Sequence, residues 1–292
     1  MPIKTAVDLV RVQADISWAA AEFAAGLATR GALTRIVPAA PEPRAVMTLP
    51  GFMGPEFSMA PLNRFLNRLG YKAQGWGLGQ NLGPQSDDAF SYLLEMGQVL
   101  GDRIKAMADD SGTKVALVGQ SLGGIYAREL AFLMPDHIDR VITLGSPAQL
   151  HPDTTHHTNK LIHHGLRYTT GRGVEDHAQE QWMWNRDSDL PPVPFVSLYS
   201  PFDGVVREDS VAISGEEMRR DSPYPRENVE VLCSHCGMAV NPLTLIAIAD
   251  RLAIPVDQWR PFDIAVYVPR RLRHVARAWY PKALGYAHVT VS

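Results

Sequence analysis

The sequence predicts an α/β domain: a mostly parallel central sheet with helices on both faces. Three observations carry this. Short apolar runs rich in β-branched residues alternate with longer stretches of helical period, the order that a parallel sheet with crossover helices requires. One such run, Lys114 to Val118, is apolar on both sides, as a strand covered on two faces should be. Apolar residues make up 46% and charged residues 20% of 292, enough for a sizeable core and no sign of disorder.

Taken in order, residues 6–29 read as an amphipathic helix, and Pro38, Pro41 and Pro43 then break the chain. Ala45 to Leu49 is a short strand that ends at Pro50-Gly51. Residues 59–69 read as a helix, Tyr71 to Trp76 as a second strand and residues 87–108 as a long helix. After the strand at Lys114 to Val118, Leu122 to Met134 is a helix stopped by Pro135. Arg140 to Leu144, Phe195 to Tyr199 and Asn228 to Leu232 are the remaining strands, and Leu243 to Leu252 is the closing helix. Together they suggest one domain over 1–292, with its core at about 45–147 and 193–253.

Between Gly145 and Val193 the rhythm lapses. A long insertion in a compact domain is usually a lid or a functional loop, so residues 148–192 are expected to form a cap over the carboxyl ends of the strands. It holds His151, His156, His157, His163 and His164, with Trp182 and Trp184.

Composition excludes several classes. The formal net charge of −3 gives no reason to expect a nucleic-acid partner. Two cysteines, Cys233 and Cys236, cannot make a disulfide framework. Asp8, Asp15 and Glu22 interrupt the N-terminal apolar stretch, so it does not read as a secretory signal. No apolar run approaches the ~20 residues of a membrane span, and a cytoplasmic protein is the expectation.

The chemistry lies at the strand ends. Gly119-Gln120-Ser121-Leu122-Gly123 fits G-x-S-x-G between a predicted strand and a predicted helix. A strand that reverses sharply into a helix forces its central residue into a strained conformation and admits only small neighbours, which leaves the serine oxygen clear of the backbone. Close helix–strand packing alone would also favour small residues here. The helix N-terminus behind the serine has unpaired N–H groups that can stabilise negative charge on a carbonyl oxygen.

A serine hydroxyl needs a base, and the base needs an orienting acid. Asp203 follows the strand Phe195 to Tyr199 and precedes Gly204, while His235 follows the strand Asn228 to Leu232. Both are placed to reach the mouth of the sheet. Asp-Gly is also a common turn, so Asp203 alone could be a turn residue, with Asp209 as the fallback acid. His137, the nearest rival base, follows the helix after Ser121 and points to the wrong region. One oxyanion donor is expected to be the Leu122 N–H. The second is expected from the loop Leu49-Pro-Gly-Phe-Met-Gly54, at Phe52 or alternatively Met53; an ordinary Pro-Gly turn is the competing reading.

These segments, PGF, GQSLGG, SPFDGVV and CSHCGM, resemble serine esterases and lipases of the α/β-hydrolase superfamily, in particular bacterial lipase-like members. The resemblance covers about residues 45–253. It implies an α/β-hydrolase fold, with Ser121, Asp203 and His235 as nucleophile, acid and base. It also implies ester hydrolysis through an acyl-enzyme, with no metal or organic cofactor. The apolar cap suggests a small hydrophobic ester as substrate. An acyltransferase or thioesterase would use the same triad, and an inactive binding scaffold is the reading of another class. Two features depart from the pattern. Pro50 stands where many relatives have a histidine, so the hydrogen bond that steadies the oxyanion loop must come from elsewhere. The first strands of the full fold are replaced by a helical N-terminus.

Other features compete for attention. C-S-H-C around His235 contains C-x-x-C, but zinc wants four ligands and no second such pair is present; packing cysteines are preferred to a disulfide or an oxidisable thiol. The His-rich stretch reads as a polar cap surface rather than a metal site, since His157 and His164 lack i, i+4 spacing. Gly75, Gly77 and Gly79 do not match a dinucleotide fingerprint. Trp76, Trp182 and Trp184 fit an acyl pocket or the core equally well. The C-terminal extension, about 260–292, has no acid from Ile264 onward and carries Arg270, Arg271, Arg273, Arg277 and Lys282 near Trp279 and Tyr280. Such a tail can make peripheral contact with an anionic membrane surface; packing partly on the domain is the preferred reading.

Overall fold

Side chains alternate along a strand, so a strand covered on both faces must be apolar at every position. The chain comes close to that demand at β1 (Ala45–Leu49), β3 (Val115–Gln120), β4 (Ile138–Leu144) and β5 (Phe195–Tyr199), which are mostly apolar and have nearly every residue buried. With β2 (Lys72–Gly75) and β6 (Arg226–Glu230) they form one six-stranded sheet in the order β2-β1-β3-β4-β5-β6, parallel throughout. The computed structural model describes residues 2–83, 89–148 and 190–274.

Two apolar layers follow from the alternation. Val46, Ala116, Val118, Ile142 and Val196 face one side and pack against Phe65 and Leu66 of α2 (Ala60–Arg68) and Leu245, Ile248 and Leu252 of α7 (Pro242–Ala253). Met47, Leu117, Val141 and Phe195 face the other, against Leu100 and Ile104 of α3 (Ala89–Ser111) and Leu130 and Ala131 of α4 (Leu122–Leu133). Trp76 belongs to this second layer: it is buried, stacks on Tyr126 at 6.4 Å between centroids and donates Nε1 to the Gly79 carbonyl at 3.0 Å. Two short helices, α5 (Glu208–Val211) and α6 (Gly215–Arg219), connect β5 to β6.

Because all strands run the same way, the loops after β1, β3, β4, β5 and β6 emerge at one edge of the sheet. That edge gathers the segments at Pro50–Gly54, Ser121, Gly145, Ser200–Gly204 and Leu232–Gly237. His137 sits at the opposite edge, where its carbonyl accepts the Val115 N–H at 2.9 Å.

Two expectations change. The N-terminal helix α1 (Pro2–Ile36) is longer than expected, and its faces are partly inverted. Asp15 and Glu22 are buried, while Val10, Ile16, Trp18, Phe23 and Leu27 are exposed; Val12 is partly buried against Tyr199, Val205 and Val206, and Leu33 and Val37 are buried. The last strand lies at Arg226–Glu230, two residues before its expected place. Its charged residues are buried because each is paired. Arg226 Nη1 reaches the Glu217 carbonyl at 2.7 Å, and Glu227 accepts from Trp259 Nε1 at 3.1 Å and Phe262 N at 2.6 Å. The sheet, expected to be mostly parallel, has no antiparallel pair among the described residues.

The expected cap lies outside the described residues except at its edges, as do its histidines, Trp182 and Trp184. The same holds for Arg277, Trp279, Tyr280 and Lys282. The start of the C-terminal extension packs on the domain through Phe262, Ile264 and Ala265. No helix among the described residues is long and apolar enough to cross a membrane.

Candidate active site

Ser121 stands at the break between β3 and α4 with φ 51 and ψ −122, a left-handed conformation that a non-glycine residue holds only when its surroundings enforce it. The surroundings are close. A Cβ on Gly119 would strike the Gly123 carbonyl and the Gly124 backbone, and a Cβ on Gly123 would strike the carbonyls of Leu49 and Pro50. The Ser121 N–H is fixed to the Leu144 carbonyl at 2.9 Å. Its side chain makes no capping bond to the helix, so the hydroxyl is not consumed by the backbone. Leu122 opens α4, and a first-turn N–H has no acceptor within its own helix.

Asp203 and His235 meet. Nδ1 of His235 lies 2.7 Å from Oδ2 of Asp203, both side chains being almost wholly buried. The other carboxylate oxygen accepts the N–H groups of Val205 at 2.8 Å and Val206 at 2.7 Å. Turn residue and histidine partner were competing readings of Asp203; the structure gives one oxygen to each. The carboxylate places the ring proton on Nδ1 and leaves Nε2 to act as a base. Burial opposes a charge on the ring, but the Asp203 charge and hydrogen bond outweigh it, with Asp15 adding to them. The His235 pKa is therefore held above the ordinary imidazole value. Gly145, at φ +59, makes room for the pair: a Cβ there would lie 2.9 Å from His235 Nδ1 and 3.0 Å from Asp203 Oδ2.

The serine and the histidine are tied through Gln120, whose Nε2 donates to the His235 carbonyl at 2.8 Å. Among the described residues no hydrogen bond joins the Ser121 hydroxyl to the imidazole; His235 makes its side-chain bond to Asp203. Asp209 is elsewhere, half-exposed and paired with Arg207 at 2.9 Å.

Within the loop after β1, Met53 (φ 60) donates its N–H to the Asn81 carbonyl at 2.7 Å, and Gly54 donates to Gly51 at 2.9 Å. The Phe52 N–H makes no hydrogen bond among the described residues. The loop lies against the serine, since a Cβ on Gly51 would be 3.2 Å from the Ser121 Cβ. Asn81 steadies it from three atoms. Besides accepting from Met53, its own N–H donates to the Gly54 carbonyl at 3.0 Å and its Nδ2 to the Pro50 carbonyl at 2.8 Å. This buried asparagine supplies the bracing that Pro50 cannot.

Asn81, Asp15 and Glu22 were not picked out as site residues from sequence. For Asn81 the only signal was its place in a Gly-rich loop. Asp15 and Glu22 stood out as charges in an apolar stretch, and their spacing of seven puts them on one helix face. Both cysteines are free thiols. Cys233 is buried, and partial burial and the Asp15 carboxylate push the Cys236 thiol up to about 12. No cluster of metal-binding side chains occurs among the described residues.

Residues 87–221 match the family described as PGAP1-like alpha/beta domain. A GPI inositol-deacylase of Eremothecium gossypii is 37% identical over 71 residues, which span 23% of this chain and 7% of that protein. Among solved structures, the mature lipase BlEst2 of Bacillus licheniformis is 20% identical, with a TM-score of 0.52 over 74% of this chain and 94% of that one. A soluble variant of monoglyceride lipase from Saccharomyces cerevisiae gives 14% and 0.52 over 75% and 91%. Lipase B of Aspergillus fumigatus gives 18% and 0.52 over 87% and 63%.

Proposed function

From a chain whose fold is that of the α/β-hydrolases, we propose a serine hydrolase that cleaves carboxylic esters through an acyl-enzyme. The observation that carries the reading is the strained Ser121 at the strand–helix turn, on the same sheet edge as a hydrogen-bonded Asp203–His235 pair. The lipases of similar fold and the deacylase similar over a short stretch support acyl-ester chemistry as the class.

His235 Nε2 takes the proton from Ser121 Oγ as the oxygen attacks the ester carbonyl. The oxyanion is held by the N–H groups of Phe52 and Leu122, the former unbonded among the described residues while Met53 donates to Asn81 and Gly54 to Gly51. His235 passes its proton to the departing alcohol, and the acyl group stays on Ser121. The imidazole then takes a proton from water, hydroxide adds to the acyl carbon, and the acid leaves as Ser121 regains its proton. Asp203 fixes the tautomer and stabilises the imidazolium in both halves. Transfer of the acyl group to an alcohol or thiol would use the same steps with another acceptor.

The test is hydrolysis of p-nitrophenyl esters from acetate to palmitate by wild type and Ser121→Ala. Activity that disappears in the variant is expected, with the chain-length profile separating esterase from lipase. A wild type inert on every ester, yet labelled at Ser121 by a fluorophosphonate, would move acyl transfer ahead. Absence of labelling would leave a binding scaffold.

A further inference from the structure

The Asp203 and His235 loops follow different strands and meet directly at two places, the carboxylate–imidazole contact and Ser200, whose hydroxyl donates to the Cys233 carbonyl at 2.6 Å and accepts the Cys233 N–H at 3.3 Å. A third element joins them. Asp15, a buried carboxylate on α1, accepts the backbone N–H of His235 at 2.6 Å and that of Gly204 at 3.1 Å through Oδ2, and that of Cys236 at 2.9 Å through Oδ1. One side chain thus holds the backbone of the base and of the residue following the acid. Seven residues on, Glu22 takes the same loop from its other end. It accepts the Ser234 N–H at 3.0 Å and Asn241 Nδ2 at 2.7 Å, with the Ser234 hydroxyl on its second oxygen.

We propose that Asp15 is a positioning residue for catalysis, and that α1 is a strap whose buried carboxylates set the distance and angle between Asp203 and His235. This rests on the reading of those two residues as acid and base. The contacts fit that role better than a stability role alone. A carboxylate is costly to bury, and here its lone pairs go to backbone N–H groups of the two loops. The helix also comes close enough that a Cβ on Gly204 would lie 2.7 Å from the Arg11 carbonyl and 3.0 Å from the Asp15 Cβ. Arg11 and Asp15 are one helical turn apart, so it is the helix surface itself that seats on the acid's loop.

Asp15 also adds negative charge beside the imidazole. The charged or titratable groups around the ring, among the described residues, are Asp203 from the loop after β5, Asp15 and Glu22 from α1, and Cys233 and Cys236 from its own loop. Neutralising Asp15 lowers the His235 pKa, so the acid limb of activity moves to lower pH. Loss of packing alone would not produce that shift.

The experiment measures fluorophosphonate labelling of the full chain from pH 5 to 9, for wild type, Ser121→Ala, Asp203→Asn, Asp15→Asn and Asp15→Ala. The probe reports the serine and its base without requiring the natural substrate. Unlabelled Ser121→Ala with labelled wild type upholds the site; a Ser121→Ala variant labelled like wild type sinks the site reading itself, whatever Asp15 does. With the site upheld, Asp15→Asn is expected to label about 10- to 100-fold more slowly, with its acid limb displaced to lower pH. Asp15→Ala, which sets no amide against the three N–H groups, decides the case if the asparagine variant does not fold, and formate is expected to restore part of its rate. A folded variant with wild-type rate and wild-type limb overturns the proposal. So does unfolding of both variants, which would assign Asp15 to stability.

Discussion

The two sides of the site are held by opposite means. Ser121 is set chiefly by steric contacts at one turn: the glycines within Val115 to Leu133 force one backbone conformation, seated against the Leu49 and Pro50 carbonyls and tied to the Leu144 carbonyl. The loops that carry Asp203 and His235 are joined by Asp15, a residue far earlier in the chain, which accepts the N–H groups of Gly204 and His235. The serine side stores strain locally. The acid–base side has, besides its own contacts, long-range polar bonds that α1 supplies. A nucleophile can therefore be placed by local sterics, whereas two loops following separate strands need a common anchor.

This contrast can be sharpened at several points, starting with the largest expected effect. Asp203→Asn keeps the shape of the pair but disfavours the Nδ1 tautomer, and ester turnover is expected to fall about 10⁴-fold with little change in melting temperature. An equally active variant would remove Asp203 from the triad. On the serine side, Gly119→Ala forces a Cβ into the Gly123 carbonyl. Overpacking of this kind costs about 1–3 kcal/mol, read as a lower denaturant midpoint, and labelling of Ser121 is expected to fall with it.

Asn81→Ala tests the oxyanion loop. It removes the Nδ2 bond to the Pro50 carbonyl and the acceptor for the Gly83 N–H at 3.1 Å. Leaving the buried Pro50 carbonyl unpaired costs about 1–3 kcal/mol. Turnover should fall by roughly tenfold, consistent with partial loss of a donor worth ~3 kcal/mol in barrier when removed outright. In the wild-type enzyme the log of kcat/KM is expected to rise with pH through an apparent pKa above the ordinary imidazole value. The neutral ring is the base, and its neighbours favour the charged form. A limb below that value would mean that burial, not Asp203 and Asp15, dominates at the ring. The smallest effect is expected for Cys236→Ser: an exposed residue with a protonated thiol should change neither rate nor stability by more than about 0.5 kcal/mol.

The legibility of the fold tracked how local its causes were. β1 and β5 lie at their expected residues because their apolar, β-branched runs are bounded by proline and turn signals. β6 slipped by two residues because Arg226 and Glu227 look like loop in a linear reading. Their burial is possible only beside Glu217, Trp259 and Phe262, which come from other elements. The acids of α1 were legible only as interruptions of an apolar stretch. Their partners, Gly204, Ser234, His235, Cys236 and Asn241, sit at the far end of the chain, and no periodicity within α1 points to them.

By itself the sequence determined the alternation of strands and helices, the serine at a tight strand–helix turn, and the order of Ser121, Asp203 and His235 after three strand ends. These follow from side-chain period, glycine sterics and residue chemistry, which act over a few positions at a time. Only the tertiary structure decided that Asp203 divides its oxygens between a turn and the imidazole, that Asn81 braces the loop after β1, and that α1 turns two acids inward. Each of these is a hydrogen bond between segments that the sheet brings to one edge. A buried carboxylate is tolerable only where distant backbone donors converge on it.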